Sequence, residues 1–209
     1  LSMPENLHKL FVISSPSGGG KTSLINKVFE DSRSANFEKS ISDTSRQKRQ
    51  GDLEGKDYYF LSEKDFKEKI KKEEYVEYAT VFGNFYGTSK NEIKTKYNNS
   101  NLVLELDWQG AYAVKKLFDD AKLIFLVPPS LDDLKQRLIK RNLDSSESIE
   151  NRLSEAKKEI SKSEMYDFLV LNDDFDRAFE ELTQILFKGI SSKDFNSRVS
   201  KDLIERLVE

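Results

Sequence analysis

Four times along the chain a short apolar run is followed by apolar residues recurring at intervals of three and four. Leu10-Phe11-Val12-Ile13 precedes Leu24, Ile25 and Val28; residues 102–106 precede Ala111, Val114 and Leu117. Leu123 to Val127 precedes Leu131, Leu134 and Leu138, and Phe168 to Leu171 precedes Ala178, Leu182 and Ile185. An apolar run without alternation suits a strand covered on both faces, and the three-four spacing suits a helix with one buried stripe. Strands alternating with helices predict an α/β fold, a parallel sheet flanked by helices.

Two segments break this rhythm. Residues 40–88 hold short β-like pieces, Tyr58-Tyr59-Phe60 and Tyr75-Val76-Glu77-Tyr78, around a helix start at Ser62 with Asp65 three residues on, so an inserted β-rich lobe is expected there. Residues 137–160 are charged, with apolar positions too sparse over 144–150 for a core-facing helix, and read as a helical lid rather than a core element. The sheet core then comprises residues 8–39, 89–136 and 161–190 of one domain spanning 1–209. In the tail, 191–209, Phe195, Val199, Leu203 and Leu207 have near-helical spacing, which predicts an amphipathic helix packed on the body. Leu1 and Ser2 ahead of Met3 are set aside as an expression remnant.

A chain of 209 residues buries enough surface to fold without cross-links. It has no cysteine and one histidine, His8, which removes thiolate nucleophiles, cysteine zinc sites and histidine-based triads. Basic residues number 34 and acidic residues 37, a net charge of −3, so there is no general basic field for nucleic acid. No apolar run approaches a membrane span, and the reading is a cytoplasmic protein without membrane partners, a second copy of the chain being left open as a partner.

The chemistry begins after the first apolar run. Ser15-Pro16-Ser17-Gly18-Gly19-Gly20-Lys21-Thr22-Ser23 fits the phosphate-binding loop at every defined place except the first, where Ser15 stands for Gly. Glycines let successive N–H groups converge on an anion, the next helix adds its positive end, Lys21 supplies a cation and Thr22 a hydroxyl for Mg²⁺. Lys outnumbers Arg 25 to 9, yet Arg46 and Arg49 lie three apart, and Arg137, Arg141 and Arg152 fall in or beside the expected lid. Guanidinium groups bind phosphate bidentately, which ammonium groups cannot do.

With these residues the chain resembles the guanylate kinases from about Lys9 to Lys188. Besides the loop, the matching motifs are Ser42-x-x-x-Arg46-x-x-Arg49-x-Gly51, Gly55-Lys56-Asp57-Tyr58, Glu74-Tyr75-Val76-Glu77 and Gly83-Asn84-Phe85-Tyr86-Gly87-Thr88. Leu104-Glu105-Leu106-Asp107-x-Gln109-Gly110, Pro128-Pro129-Ser130 and Asn172-Asp173-Asp174 follow in order, with Glu105 where many members have Asp. The resemblance implies Mg²⁺-dependent transfer of the γ-phosphoryl group from ATP to GMP or dGMP, giving ADP and GDP. It also implies that Arg46, Arg49, Tyr58 and Tyr86 hold the GMP phosphate, while Ser42, Glu77, Thr88 and Asp107 surround guanine. A carboxylate such as Glu77 suits guanine because only that base presents its imino N–H and amino group side by side. By the same resemblance Lys21 meets the ATP β/γ-phosphates, Thr22 meets Mg²⁺, Asn172 meets adenine, and Arg46 with Arg137, Arg141 and Arg152 surrounds the transferring group. Glu105 or Asp107 would support Mg²⁺ through water.

The competing readings are another nucleoside monophosphate kinase and a non-catalytic guanylate-kinase-like binding domain. Presence of Lys21 argues against the second, and absence of an Asn-Lys-x-Asp sequence argues against a regulatory GTPase.

Overall fold

The structure is a computed structural model, described for residues 8–81, 83–140 and 146–209. In chain order its elements begin with β1 (Leu10–Ser14), α1 (Lys21–Glu30), β2 (Phe37–Lys39), β3 (Asp43–Thr44), β4 (Tyr59–Phe60) and α2 (Glu63–Lys71). Next come β5 (Tyr75–Val81), β6 (Asn84–Ser89), α3 (Lys90–Tyr97), β7 (Asn101–Glu105), α4 (Trp108–Leu117) and β8 (Lys122–Val127). The chain closes with α5 (Leu131–Lys140), α6 (Ser146–Ile160), β9 (Phe168–Leu171), α7 (Phe175–Leu186) and α8 (Lys201–Val208).

A five-stranded parallel sheet has the order β2-β7-β1-β8-β9, so β1 sits at its centre between strands reached by opposite crossovers. Side chains alternate across a strand, which explains why β1 is apolar at consecutive positions. Leu10 and Val12 join Leu104, Leu123, Phe125 and Val127 on one face, covered by Ile93, Val114, Ile160 and Leu207 from four helices. Phe11 and Ile13 join Val103, Ile124 and Leu126 on the other, covered by Leu24, Ile25 and Val28 of α1 and Ala178, Leu182 and Ile185 of α7. Each such fully buried side chain contributes about 1.5–3 kcal/mol, enough to hold the strand register. The loops that leave the C-terminal ends of β1, β7, β8 and β9 therefore meet at one edge, beside the strand where the winding reverses.

Residues 40–88 form the expected second layer, a sheet of order β4-β3-β6-β5. Phe66 of α2 is fully buried and stacks on Tyr75 at 4.5 Å and Phe85 at 5.3 Å. The predicted cap is present, with the Ser62 hydroxyl accepting from the Asp65 N–H at 3.1 Å.

Several expectations need correction. β2 and β6 are strands that periodicity does not reveal, because β2 is three residues at a sheet edge and β6 is Asn84-Phe85-Tyr86-Gly87-Thr88-Ser89, where Gly interrupts the pattern. Leu117 is 53% exposed, so the stripe of α4 ends at Val114. The lid is not separate from the core: Ala156 and Ile160 of α6 are buried and Ile160 belongs to the main cluster. In the tail only Lys201–Val208 is helical. Phe195 and Val199 are anchored from irregular backbone instead, Phe195 edge-on to Phe168 at 5.5 Å. Among the described residues no helix is long and apolar enough to cross a membrane.

Candidate active site

The phosphate loop is built by the β1–α1 turn. Gly20 has φ 89°, and a Cβ there would lie 2.5 Å from the Asn172 amide nitrogen, so conformation and space both require glycine. Ser15 is not under that demand, since among the described non-glycine residues only Glu73 has positive φ, and its hydroxyl donates to the Pro16 carbonyl at 3.1 Å. The departure at the first position is therefore harmless to the turn. The Lys21 ammonium points back across the loop to the Leu106 carbonyl at 3.2 Å. Burial lowers its pKa, while Glu105, Glu159 and Asp107 oppose that fall.

Thr22, at the first turn of α1, donates its hydroxyl to Glu105 at 2.6 Å, and Lys39 pairs with the other Glu105 oxygen at 2.8 Å. Burial acts to raise the Glu105 pKa, but Lys21 and Lys39 outweigh it and hold the group ionised. Asp107 caps α4, accepting from the Gly110 N–H at 2.8 Å. It also lies within electrostatic reach of Lys21 and of Glu77.

Glu77, on β5, is positioned from two sides. The Thr88 hydroxyl of β6 donates to it at 2.7 Å, and Gly110 leaves it room, since a Cβ at Gly110 would stand 3.0 Å from the Glu77 Cγ. Burial raises the Glu77 pKa. Arg46 pairs with Asp52 at 2.9 Å and its guanidinium lies 5.5 Å from the Tyr58 ring, while Tyr58 and Tyr86 meet edge-on at 5.7 Å. These three expected phosphate contacts thus share one corner of the lobe. Arg49 has an exposed side chain, its backbone N–H donating to Asp52 at 2.7 Å. Ser42 is half-buried just ahead of β3 and accepts at its carbonyl from the Tyr59 N–H at 3.0 Å.

On the lid side, Arg152 of α6 donates to the Ser17 hydroxyl at 2.8 Å and Arg137 of α5 donates to the Asn172 carbonyl at 3.0 Å. Arg141 lies outside the described residues. The Asn172 side chain is the one the resemblance implies for adenine. That side chain is buried and donates to the Gly19 carbonyl at 2.6 Å, pinning the loop. A cavity of about 450 Å³ opens beside the loop between Gly18, Gly20 and Ser23 and the facing Arg137, Asn172 and Phe175.

Two residues escaped the sequence reading. Glu159 on α6 faces Lys21 and Asp107, and burial, opposed by Lys21, pushes its pKa up to about 7. A lone acid on a charged helix carries no signal that would single it out. Phe175 has the spacing of the buried stripe of α7 yet is 41% exposed at the cavity rim, which only its placement reveals.

A glycine-rich turn between β1 and α1, with Lys21 and Thr22 held against Leu106 and Glu105 at the end of β7, defines a phosphate-loop nucleotide-binding protein. Comparison with known proteins narrows the class. The guanylate kinase family profile matches residues 7–189. Guanylate kinase from Wolbachia sp. subsp. Brugia malayi is 44% identical over 186 residues, covering 88% of this chain and 94% of that one. The Hahella chejuensis guanylate kinase is 47% identical over 178 residues, 85% of each chain. The crystal structure of guanylate kinase from Anaplasma phagocytophilum superposes with a TM-score of 0.67 at 32% identity, over 90% of this chain and 88% of that one. The chain belongs to the guanylate kinase family. It is an enzyme, and the guanylate kinase reading holds over the alternatives drawn from sequence.

Proposed function

We propose that the protein transfers the γ-phosphoryl group of ATP to GMP or dGMP, with Mg²⁺, and that its two half-sites are the ones described above. The observation that carries this reading is the β7–α4 turn, where the Leu106 carbonyl accepts from the loop lysine at 3.2 Å and the next residue, Asp107, caps the helix whose Gly110 lies against Glu77. The acceptor's phosphate oxygen attacks the γ-phosphorus, the bond to the β,γ-bridging oxygen breaks, and ADP leaves with that electron pair. The attacking group is already an anion, so no general base is needed; positioning and neutralisation of charge perform the catalysis.

Lys21 would bind the β- and γ-phosphate oxygens once they displace it from the Leu106 carbonyl. Arg46, Arg49, Tyr58 and Tyr86 would hold the acceptor phosphate, and Arg137, Arg141 and Arg152 would close on the moving group and exclude water. Among the described residues no three His, Asp or Glu side chains are arranged to hold a metal alone. The donors present, the Thr22 hydroxyl and the Glu105 carboxylate 2.6 Å from it, suit Mg²⁺, which keeps waters and takes most other ligands from phosphate. When bound, the ion supplies neutralisation of the β- and γ-oxygens. The Phe175 ring at the cavity rim would face adenine.

Glu77 is the expected source of base selection. It offers two acceptors to guanine's paired donors, whereas adenine leaves it unpaired at about 1–3 kcal/mol or more. A coupled assay of ADP release with ATP and each of GMP, dGMP, AMP and UMP tests the reading. Turnover with the guanine nucleotides only is expected; equal turnover with AMP would overturn it.

A further inference from the structure

Residues 190–209 lie past the end of the family match, yet one side chain among them is bound to the nucleotide end of the sheet. β9 is an edge strand, and among the described residues no sixth strand covers it. Its outward carbonyls accept side-chain donors from the tail instead. The Ser197 hydroxyl donates to Leu169 at 2.6 Å, and the Arg198 guanidinium donates to Leu171 at 2.8 Å. The same guanidinium donates to both Asp173 oxygens, at 2.7 and 2.9 Å, and pairs with Glu181 of α7.

Arg198 therefore grips the chain on both sides of Asn172, at Leu171 and at Asp173. Asn172 is the residue on which the ATP half-site leans. Its amide holds the Gly19 carbonyl at 2.6 Å and occupies the space a Cβ at Gly20 would need, and its own carbonyl accepts from Arg137 at 3.0 Å. The backbone N–H of Asn172 is tied to Val127 of β8 at 2.9 Å, so the remaining freedom of this short segment is at the two neighbours that Arg198 clamps. A planar guanidinium holding a carbonyl and two carboxylates at once sets direction as well as distance. The expected GMP contacts Glu77 on β5 and Tyr86 and Thr88 on β6 belong to the other sheet, and Arg46 follows its strand β3.

We propose that Arg198 is a positioning residue for the ATP half of the site. By fixing Leu171 and Asp173 it aligns Asn172, and through Asn172 the Gly19–Gly20 turn of the phosphate loop and the Arg137 guanidinium. Arg198, rather than the tail as a whole, is then a working part of nucleotide binding. Residues whose rotamers are locked by such supporting contacts hold a constellation more tightly than residues left to themselves.

This rests on the proposed function, and the test separates the two. Steady-state kinetics with ATP and GMP varied independently, and calorimetry of ADP binding without GMP, would be run on Arg198→Ala, Arg198→Lys and Ser197→Ala. All would be measured at a temperature where circular dichroism shows each variant folded. Arg198→Ala is expected to raise KM for ATP and Kd for ADP by about tenfold with KM for GMP within about twofold, since a small misplacement of a binding loop is costly. Arg198→Lys keeps the charge but cannot span three acceptors, and should retain at least about a threefold defect confined to ATP and ADP. Ser197→Ala removes a neighbouring tail contact that does not bracket Asn172, and should leave all constants unchanged. If Arg198→Ala does not fold, the Lys variant decides. The proposal is overturned if ATP and GMP constants move together, if neither moves, or if Ser197→Ala reproduces the defect. Failure of the parent protein to make GDP would instead refute the proposed function, while the ADP titrations would still read the clamp.

Discussion

Replacing Glu77 by Gln exchanges one acceptor for a donor and changes almost nothing in volume. Glu77 accepts from the Thr88 hydroxyl at 2.7 Å, and a Cβ at Gly110 would stand 3.0 Å from its Cγ, so the side chain is placed from two sides. Two orientations remain. With the amide oxygen on Thr88, the NH₂ faces guanine's donors. With the oxygen on guanine, one of the two base contacts and the charge on the other are lost. Either way one charge-assisted bond disappears, worth about 1.5–3 kcal/mol, which converts to roughly 10- to 150-fold in kcat/KM for GMP. The variant should not be less stable. Burial raises the Glu77 pKa above 4.5, so its contribution to stability is complete below that value and is lost as pH rises through the folded pKa. Gln is neutral at every pH and carries none of this dependence. The assay is kcat/KM for GMP and AMP at fixed ATP, with thermal unfolding alongside. A GMP to AMP ratio that does not fall, or an equal loss in KM for ATP, would refute base recognition by Glu77.

Three further outcomes are expected. Lys21→Ala should lower kcat by at least about 10²-fold while the Kd for GMP stays within about threefold, because the ammonium serves only the phosphates of the donor; calorimetry showing a collapse of GMP affinity would count against this. Arg152→Ala should lower kcat by about 10²-fold with GMP affinity nearly unchanged, since the guanidinium, now on Ser17 at 2.8 Å, would act most strongly in the transition state; normal turnover would rule it out. Glu159→Gln probes the free enzyme by pH. With the folded pKa raised from 4.5 to about 7, Glu159 favours folding below 4.5 and loses that contribution as pH rises towards 7, so the Tm of the variant relative to the parent should climb across this interval and then level; a flat difference would show that Glu159 is not held in the buried setting described.

Features made by consecutive residues were legible in the amino-acid order. The phosphate loop, the Ser62 cap and the strand-helix alternation each arise from backbone conformation or side-chain period within a few positions. The β-rich insertion was legible as a break in that period, though β6 was hidden by Gly87. Glu77 stood out through its surrounding motif, because its chemistry matches guanine whatever packs behind it.

What only the tertiary structure decided are contacts between distant positions. Arg152 meets Ser17 across 135 positions and Asn172 meets Gly19 across 153, and no local pattern encodes such distances. The amide of Asn172 serves the loop because the parallel sheet brings the ends of β1 and β9 to one edge. Ile160 ties α6 to the core on the face that α1 and α7 leave open. The tail is helical only over its last turns because Arg198 and Ser197 satisfy carbonyls of an edge strand, and a helix there would carry both donors away from them. Local order thus set the chemistry that each segment can offer, while the packing of the sheet chose which of those groups face one another.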